Sequence, residues 1–359
     1  MSEARVRAGE ELDAARVDAW LKALLPDLAG TPEVSQYSGG ASNWTYRLRY
    51  DTHDLVLRRP PAGTKAKSAH DMGREYRIQK ALKSSFPLVP EMIAFCDEPS
   101  VIGCEFYVMR RLEGLILRRN LPKDLTLTPD QTRKLCHNVI DTLIALHGVD
   151  IAAAGLLSIG KGAGYARRQI EGWCDRYRKA RTWNVPRFEK VMNWLEAHIP
   201  DDVANCVVHN DFRFDNVVLD PHEPTRVIGV LDWEMATLGD PLMDLGNALA
   251  YWVQADDDFF IRSLRRQPTH LPGMLTRRQV VEYYCTKTGR NASNFKFYEV
   301  YGLFRLAVIA QQIYYRYQHG QTRNPAFRSF WLFVSYLSWR CARVIRRKTQ
   351  HGLGFSLVW

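Results

Sequence analysis

Two stretches constrain the chain more than any others: His209-Asn210-Asp211-Phe212-Arg213-Phe214-Asp215-Asn216, and Val230-Leu231-Asp232-Trp233-Glu234 shortly after it. They are set among short β-like runs. Cys206-Val207-Val208 predicts a strand entering a turn, Asn216 to Pro221 a second strand closed by a turn, and Arg226 to Leu231 a third that delivers Asp232 to its end. Hairpins of this kind gather acids that are distant in sequence at one rim. An Asp, an Asn five positions later and a second Asp after an apolar run suit phosphoryl transfer from a magnesium nucleotide to a hydroxyl. Asp211 would orient and deprotonate the acceptor, while Asn216 and Asp232 would hold the metal against the phosphates. Oxygen ligands fit because magnesium is a hard cation usually held by one or two carboxylates, phosphates and water. The plain alternative is a solvated loop with ordinary Asp and Asn turn residues.

At 359 residues, 46% apolar and with 10 Trp, the chain can bury a large core, and its length suggests two lobes. The strongest apolar run, Val300 to Tyr315, is interrupted by Arg305, Gln311 and Gln312, so no membrane span is expected. The N-terminus lacks an apolar signal core, and a cytoplasmic protein is expected. Seven scattered cysteines without a C-x-x-C pair argue against disulfides and structural zinc, and read as core fillers. A net charge of +10 fits either an anionic partner (nucleotide, coenzyme or nucleic acid) or an uncommitted basic surface.

Along the chain, Val17, Trp20, Leu21 and Leu24 stripe an opening helix. Strands follow at Val34 to Ser38, Trp44 to Tyr50 and Leu55 to Arg59. A helix over Ala69 to Lys83 carries Glu75, Ile78 and Leu82 on one face, and two further strands lie near Glu91 to Asp97 and Ile102 to Arg110. Leu112-Glu113-Gly114 reads as a hinge, beyond which helical periodicity dominates: from Thr128-Pro129, over Tyr165 to Ala180, Arg187 to His198, from Asp240-Pro241, and over Arg277 to Thr288, Phe295 to Tyr317 and Pro325 to Arg346. The expected fold is α+β and bilobal, with a β-rich N-lobe over 1–111, a helical C-lobe over 112–359 and a ligand cleft between them.

Gly39-Gly40-Ala41-Ser42-Asn43 joins two of the strands. Glycines there let backbone N–H groups approach phosphates, and Ser42 and Asn43 add side-chain donors, although a simple turn reads the same way. Arg58 faces inward if it shares a face with Val56. Glu75, the one acid on the apolar face of its helix, then needs a cationic partner that Arg58 supplies. Such a pair would steady Arg58 against the nucleotide phosphates.

These residues resemble the aminoglycoside phosphotransferase and choline kinase superfamily, which has a two-lobed protein-kinase-like fold. More narrowly, the chain resembles the kinase-like part of acyl-CoA dehydrogenase family 10 and 11 proteins. The likeness runs through Tyr37 to Asn43, Val56 to Pro61, Arg74-Glu75-Tyr76, Phe106 to Met109, Leu146-His147, the Asp211 block, Gly239 to Leu245 and Phe304 to Ala307. It implies ATP and Mg2+ as cofactors, Asp211 as the catalytic base, and Asn216 with Asp232 as the metal ligands. It also implies Arg58 and Glu75 as the phosphate-clamping pair, and Met109, Arg110, Arg111 and Leu112 as the adenine-pocket lining through their backbone. His209, Asp240 and Asp244 would brace the catalytic loop. Asn210 stands where many members have Gly, and Arg58 where many have Lys, a broader, forked donor. With no G-x-G-x-x-G, and seven residues between Asp232 and Asp240, there is no room for a protein-kinase activation loop.

The acceptor is not named by the fold. Trp252, Tyr283, Tyr284, Arg305, Tyr314, Tyr315 and Arg316 favour an anionic or acyl-bearing small molecule such as a hydroxyacyl-CoA, as the narrower resemblance implies. A polycationic aminoglycoside or amino alcohol would want acids, and the second lobe offers the run Asp256-Asp257-Asp258. A nucleotide-binding pseudokinase acting as a partner module is the other alternative. No nucleic-acid motif is present, and no nucleic-acid or membrane partner is expected.

Overall fold

A computed structural model describes residues 3–37, 43–61 and 71–347. The chain divides into two compact units. The first comprises the described residues of Met1–Ile116 with Ala152–Leu156 and Asn216–Ala236; the second comprises those of Leu117–Ile151, Leu157–Asp215 and Thr237–Trp359. The segment carrying Asn216 and Asp232 therefore packs with the N-terminal strands, and the one carrying Asp211 packs with the helices.

The first unit is built on a sheet of β1 (Glu3–Ala4), β2 (Glu33–Tyr37), β3 (Trp44–Arg49), β4 (Asp54–Arg59), β5 (Met92–Cys96) and β6 (Phe106–Arg110), in the order β1-β2-β3-β4-β6-β5 with antiparallel neighbours. Alternation in β4 decides which side chain does what. Leu55 and Leu57 join the core under α1 (Ala14–Leu24), where Val17 and Leu21 meet Tyr46, Leu48 and Phe106. Val56 points to the other face, among Met72, Tyr107 and Met109 beneath α2 (Met72–Leu82), and Arg58 shares its parity. Leu24, expected on the buried stripe, is 51% exposed, because the helix ends there and the stripe stops one turn early.

The expected strand from Ile102 begins instead at Phe106. Pro99 at the first turn starts a short helix, α3 (Pro99–Ile102), which Gly103 closes. The segment read as a hinge is pinned. Leu115 exchanges two backbone hydrogen bonds of 2.8 Å with Leu219, and a Cβ on Gly114 would sit 2.4 Å from the Leu219 carbonyl oxygen. Glycine is there for close backbone approach, and the boundary between units falls after Ile116. Leu219 ends β8 (Val217–Leu219), which pairs with β9 (Val227–Val230) in the same unit.

The second unit contains α4 (Pro129–His147), α5 (Tyr165–Ala180), α6 (Glu189–Ala197), α7 (Pro241–Ala250), α8 (Phe259–Ser263), α9 (Arg277–Thr288), α10 (Phe295–Gln318) and α11 (Phe330–Arg346). It also holds a small ladder of β7 (Cys206–Val208) with β10 (Thr237–Gly239). Val207 was expected to lie in the hairpin set, but its partner is Leu238 rather than a residue of β8 or β9. Thr128 and Thr276 start α4 and α9 with capping boxes, satisfying first-turn N–H groups from both directions. All seven cysteines are free and six are buried. No helix among the described residues is long and apolar enough to cross a membrane.

Helix α10 is buried along most of its length and crosses α7 glycine to glycine. A Cβ on Gly302 would lie 2.1 Å from the Gly246 carbonyl oxygen, a contact with backbone that no rotamer relieves. Gly302→Ala should force the helices apart and destabilise the protein by about 1–3 kcal/mol, the usual penalty of overpacking. Thermal unfolding checks this, and an unchanged midpoint would mean the crossing is looser than described. The crossing matters for function because α7 carries Asp244 and Asn247, both buried against the Asp211 loop.

Candidate active site

In the first unit, Arg58 reaches from β4 across the inner face of the sheet to α2. Its Nη1 donates to Glu75 Oε1 at 2.6 Å, and the Tyr107 hydroxyl donates to the same oxygen at 2.8 Å. The fork of the guanidinium is used. Nη2 donates to Asp232 Oδ1 at 3.2 Å and lies 3.8 Å from Glu234 Oε2. Asp232 follows β9 with a left-handed backbone (φ 68), which turns the chain into a short 3-10 turn, Trp233–Met235. Trp233 is fully buried, its indole N–H bonded to the Val230 carbonyl at 2.8 Å and its ring edge-on to Phe86, so the turn that presents Asp232 is anchored in the core.

One guanidinium thus faces three carboxylates. Burial works against the Arg58 charge, yet Glu75, Tyr107, Asp232 and Glu234 together hold it well above its ordinary value. Burial, with Asp232 adding to it, pushes the Glu75 carboxyl up even though Arg58 pulls it down. Glu75, Asp232 and Glu234 around Arg58, with Arg74 also near Glu75, leave a negative balance that attracts a further cation. Asn216 stands beside this cluster. Val217 pairs with Val230, and the Leu231 N–H donates to the Asn216 carbonyl at 2.8 Å, so Asn216 and Asp232 share one end of the β8–β9 hairpin. Among the described residues no three His, Cys, Asp or Glu side chains form a metal cage. An amide oxygen and a carboxylate at a hairpin end fit magnesium, which takes few protein ligands and completes its shell with phosphate and water.

Glu75→Gln should keep an acceptor for Tyr107 and remove the charge that positions Arg58. On the nucleotide reading of the sequence, loss of one charge-assisted hydrogen bond, about 1.5–3 kcal/mol, should raise the apparent KM for ATP by about 10- to 100-fold. Steady-state kinetics would remove Glu75 from the site if KM and kcat were both unaltered.

Asn43 is buried and donates to Glu234 at 3.2 Å, so its amide ties the strand after the glycine turn to the Asp232 segment. Gly39, Gly40 and Ser42, proposed as phosphate contacts, lie outside the described residues. Met109 packs in the core beneath α2. The side chains of Arg110 and Arg111 are engaged elsewhere, Arg110 with Glu91 at 2.7 Å and Arg111 with Asp54 at 2.9 Å and the Tyr37 hydroxyl at 3.1 Å. Their backbone N–H groups bond the Glu91 and Asp54 carbonyls.

In the second unit, the Asp211 loop is organised by Asp244, fully buried on α7. Its two oxygens accept the His209 N–H at 2.7 Å and the Asn210 N–H at 2.8 Å, and His147 Nε2 lies 3.1 Å from it. His147 in turn meets the Tyr284 hydroxyl at 2.7 Å. Burial raises the Asp244 carboxyl, but the His147 bond and charge, with the His209 contacts, bring it below the ordinary carboxylate value. His209 is fully buried and its Nδ1 accepts the Asp211 N–H at 3.2 Å, so it braces the backbone on which Asp211 stands. Asp240 caps α7 through the Leu242 and Met243 N–H groups and accepts the Val203 N–H, holding the helix rather than the loop.

The departure at Asn210 has a physical reason. Its φ is 64, the left-handed region that glycine and asparagine tolerate, and its Oδ1 accepts the Tyr165 hydroxyl at 3.1 Å and the Asn247 amide at 3.2 Å. Arg213, unassigned from sequence, donates to Asp211 Oδ2 at 3.0 Å, lies 3.4 Å from Asp215 Oδ1, and covers the Tyr251 ring. Its spacing two residues after Asp211 was the available signal, as the adjacency of Glu234 to Asp232 was for the third carboxylate. Tyr107 carried no signal beyond strand parity.

The residues read as acceptor walls are mostly core. Trp252, Tyr284, Arg305 and Tyr314 are buried, Trp252 bonded to the Leu275 carbonyl and Arg305 set over the Trp173 ring. Tyr283 bonds Asp141 and Tyr315 stacks on His319. The acidic run is committed too. Asp257 pairs with Arg277 at 2.6 Å, Asp258 caps α8, and Asp256 accepts the Gln254 amide.

Comparison with known proteins fits this arrangement. Residues 33–279 match the model of the phosphotransferase enzyme family. Human acyl-CoA dehydrogenase family member 11 is 35% identical over 98% of this chain and 44% of its own length. The chain spans less than half the length of the curated relatives it matches. A crystal structure of a candidate aminoglycoside phosphotransferase from Ralstonia eutropha has a TM-score of 0.78 at 31% identity, covering 93% of this chain and 99% of that one. The streptomycin–ATP ternary complex of APH(2″)-IIa has a TM-score of 0.55 at 16% identity, covering 92% of this chain and 97% of that one, a likeness of fold. The α+β, two-lobed protein-kinase-like architecture is thus the one these structures share, and the chain belongs to the phosphotransferase enzyme family.

Proposed function

We propose that the chain is an ATP- and magnesium-dependent kinase that transfers a γ-phosphate to the hydroxyl of an anionic small molecule, a hydroxyacyl-CoA foremost. The observation that carries the reading is Arg58 held among Glu75, Asp232 and Glu234, a carboxylate cluster beside Asn216. A magnesium ion held by Asn216 and Asp232 would neutralise phosphate charge. Arg58, fixed by Glu75 and Tyr107, contributes a forked donor to the nucleotide phosphates. Asp211 takes the proton of the acceptor hydroxyl as its oxygen attacks the γ-phosphorus and the bond to the β-phosphate breaks, releasing ADP, while Arg213 fixes the carboxylate's direction and Asp244 fixes the loop. ATP as donor agrees with the fold neighbour bound to ATP, and an acyl-CoA acceptor agrees with the names of the long relatives. The bonds of Asp256 to Gln254, of Asp257 to Arg277 and of Asp258 to Tyr336 count against a polycationic acceptor held by that run. An ATP-consumption screen across hydroxyacyl-CoAs, amino alcohols, sugars and aminoglycosides tests the reading. Turnover confined to aminoglycosides or amino alcohols would overturn the acceptor class, and no turnover with any acceptor would favour a pseudokinase.

A further inference from the structure

The second unit carries a group of cations that the reaction above does not use. Arg265 bridges two segments: its Nη2 donates to Asn120 Oδ1 at 2.8 Å and its Nη1 to the Arg262 carbonyl at 3.2 Å. This gathers Arg118 and Arg119, which directly precede Asn120, with Arg262, Arg265 and Arg266. Arg118 is close enough to the Asp215 carboxyl to lower it, while Arg119, Arg262, Arg265 and Arg266 form no ion pair within 4 Å among the described residues. Two buried nitrogens in the group, Arg265 Nε and His270 Nδ1, have no hydrogen-bond partner among the described residues. A buried polar atom left unpaired is costly, and so is a group of like charges in which most lack an ion-pair partner. Burial and the charges of Arg119 and Arg262 depress the Arg265 guanidinium, and burial with Arg265 and Arg262 depresses His270. The repulsion is therefore present in the folded protein. A protein that retains it gains most when an anion arrives.

The group is fastened to the catalytic loop. Gln267, two residues beyond Arg265, accepts the Phe214 N–H at 2.8 Å, and Phe214 is three residues from Asp211. At no more than about 3.5 Å per residue, with one bonded side chain between, Arg265 lies within roughly 25 Å of Asp211. We infer that Arg119, Arg262, Arg265 and His270 form a subsite that binds the phosphorylated handle of the acceptor while its hydroxyl lies at Asp211. The inference rests on the kinase reading and deepens it by naming the chemistry recognised, a diphosphate or phosphate ester carried on a long arm.

Coenzyme A serves as the probe, with pantetheine, the same arm without the diphosphate, as the control and ADP binding as the check on the nucleotide site. Titration calorimetry should give coenzyme A binding that weakens with salt, and weakens at least 30-fold in Arg262→Gln/Arg265→Gln. ADP affinity should stay unchanged. Because Arg265 also joins two segments, the exposed pair Arg119→Gln/Arg262→Gln provides a second variant, expected to lose at least 10-fold. Equal affinity of wild type and both variants would overturn the subsite, as would pantetheine binding as tightly as coenzyme A. So would a random DNA duplex competing as well as coenzyme A does, since that would assign the cations to nucleic acid. The two readings fail separately. ATP turnover that depends on Asp211 without coenzyme A binding leaves the kinase and removes the subsite. Arginine-dependent coenzyme A binding without turnover of any acceptor does the reverse.

Discussion

Asp211→Ala should abolish phosphoryl transfer, with kcat falling by about 10³-fold or more, while the melting temperature stays within a degree or two of wild type. General-base catalysis contributes about 10²–10⁴-fold, and the loss should exceed its middle because Arg213 would then face the acceptor with its Asp211 partner removed. The Asp211 side chain is partly exposed and bonds Arg213 of its own loop, which is why stability should survive. ADP affinity should also survive, since nucleotide contacts are proposed for the first unit. ATP-consumption assays with the best acceptor, alongside thermal unfolding, check both halves. Equal loss of activity and stability would make Asp211 a structural residue.

Asp244→Ala should show the opposite pattern, losing stability first. The carboxylate is fully buried and serves the His209 N–H, the Asn210 N–H and His147. Removing it orphans buried donors at about 1–3 kcal/mol each, so a total near 3–5 kcal/mol is expected, with a fall of about 10 °C in melting temperature. Asp244→Asn retains one acceptor oxygen and should recover part of the loss. The pH dependence carries a sign. The folded-state carboxyl lies below its ordinary value, so its contribution is fully present above the unfolded-state value and is lost as pH falls through the folded one. Wild type should therefore lose stability on acidification below about pH 4, and Asp244→Ala should lose less over that range. Equal acid sensitivity of the two proteins would show that other carboxylates dominate.

Much of this was legible from the residues because it obeys local periodicity. Strand parity placed Arg58 on the Val56 face, and the lone acid on the apolar face of α2 identified Glu75, which the structure joins at 2.6 Å. Helix starts were readable where Thr-x-x-Gln or Asp-Pro chemistry marks them, as at Thr128, Thr276 and Asp240. What escaped depends on contacts between distant segments. No local pattern announces that β7 pairs with β10, that Gly114 is crowded by Leu219, or that Gly246 and Gly302 touch. The same limit misplaced the acceptor walls. Trp252, Tyr284 and Arg305 have the composition of a binding surface, but they are buried in the helical unit, and composition does not distinguish the two. Arg213 and Glu234 were adjacent to assigned residues, yet their importance depends on which carboxylate or cation each meets in space.

The most direct measurement is nucleotide-dependent binding of Mn2+, followed by electron paramagnetic resonance, in wild type, Asn216→Ala and Asp232→Asn. The account predicts tight Mn2+ binding to wild type in the presence of ADP and a loss of at least tenfold in each variant, with the nucleotide-free melting temperatures little changed. Undiminished Mn2+ binding in both variants would contradict it.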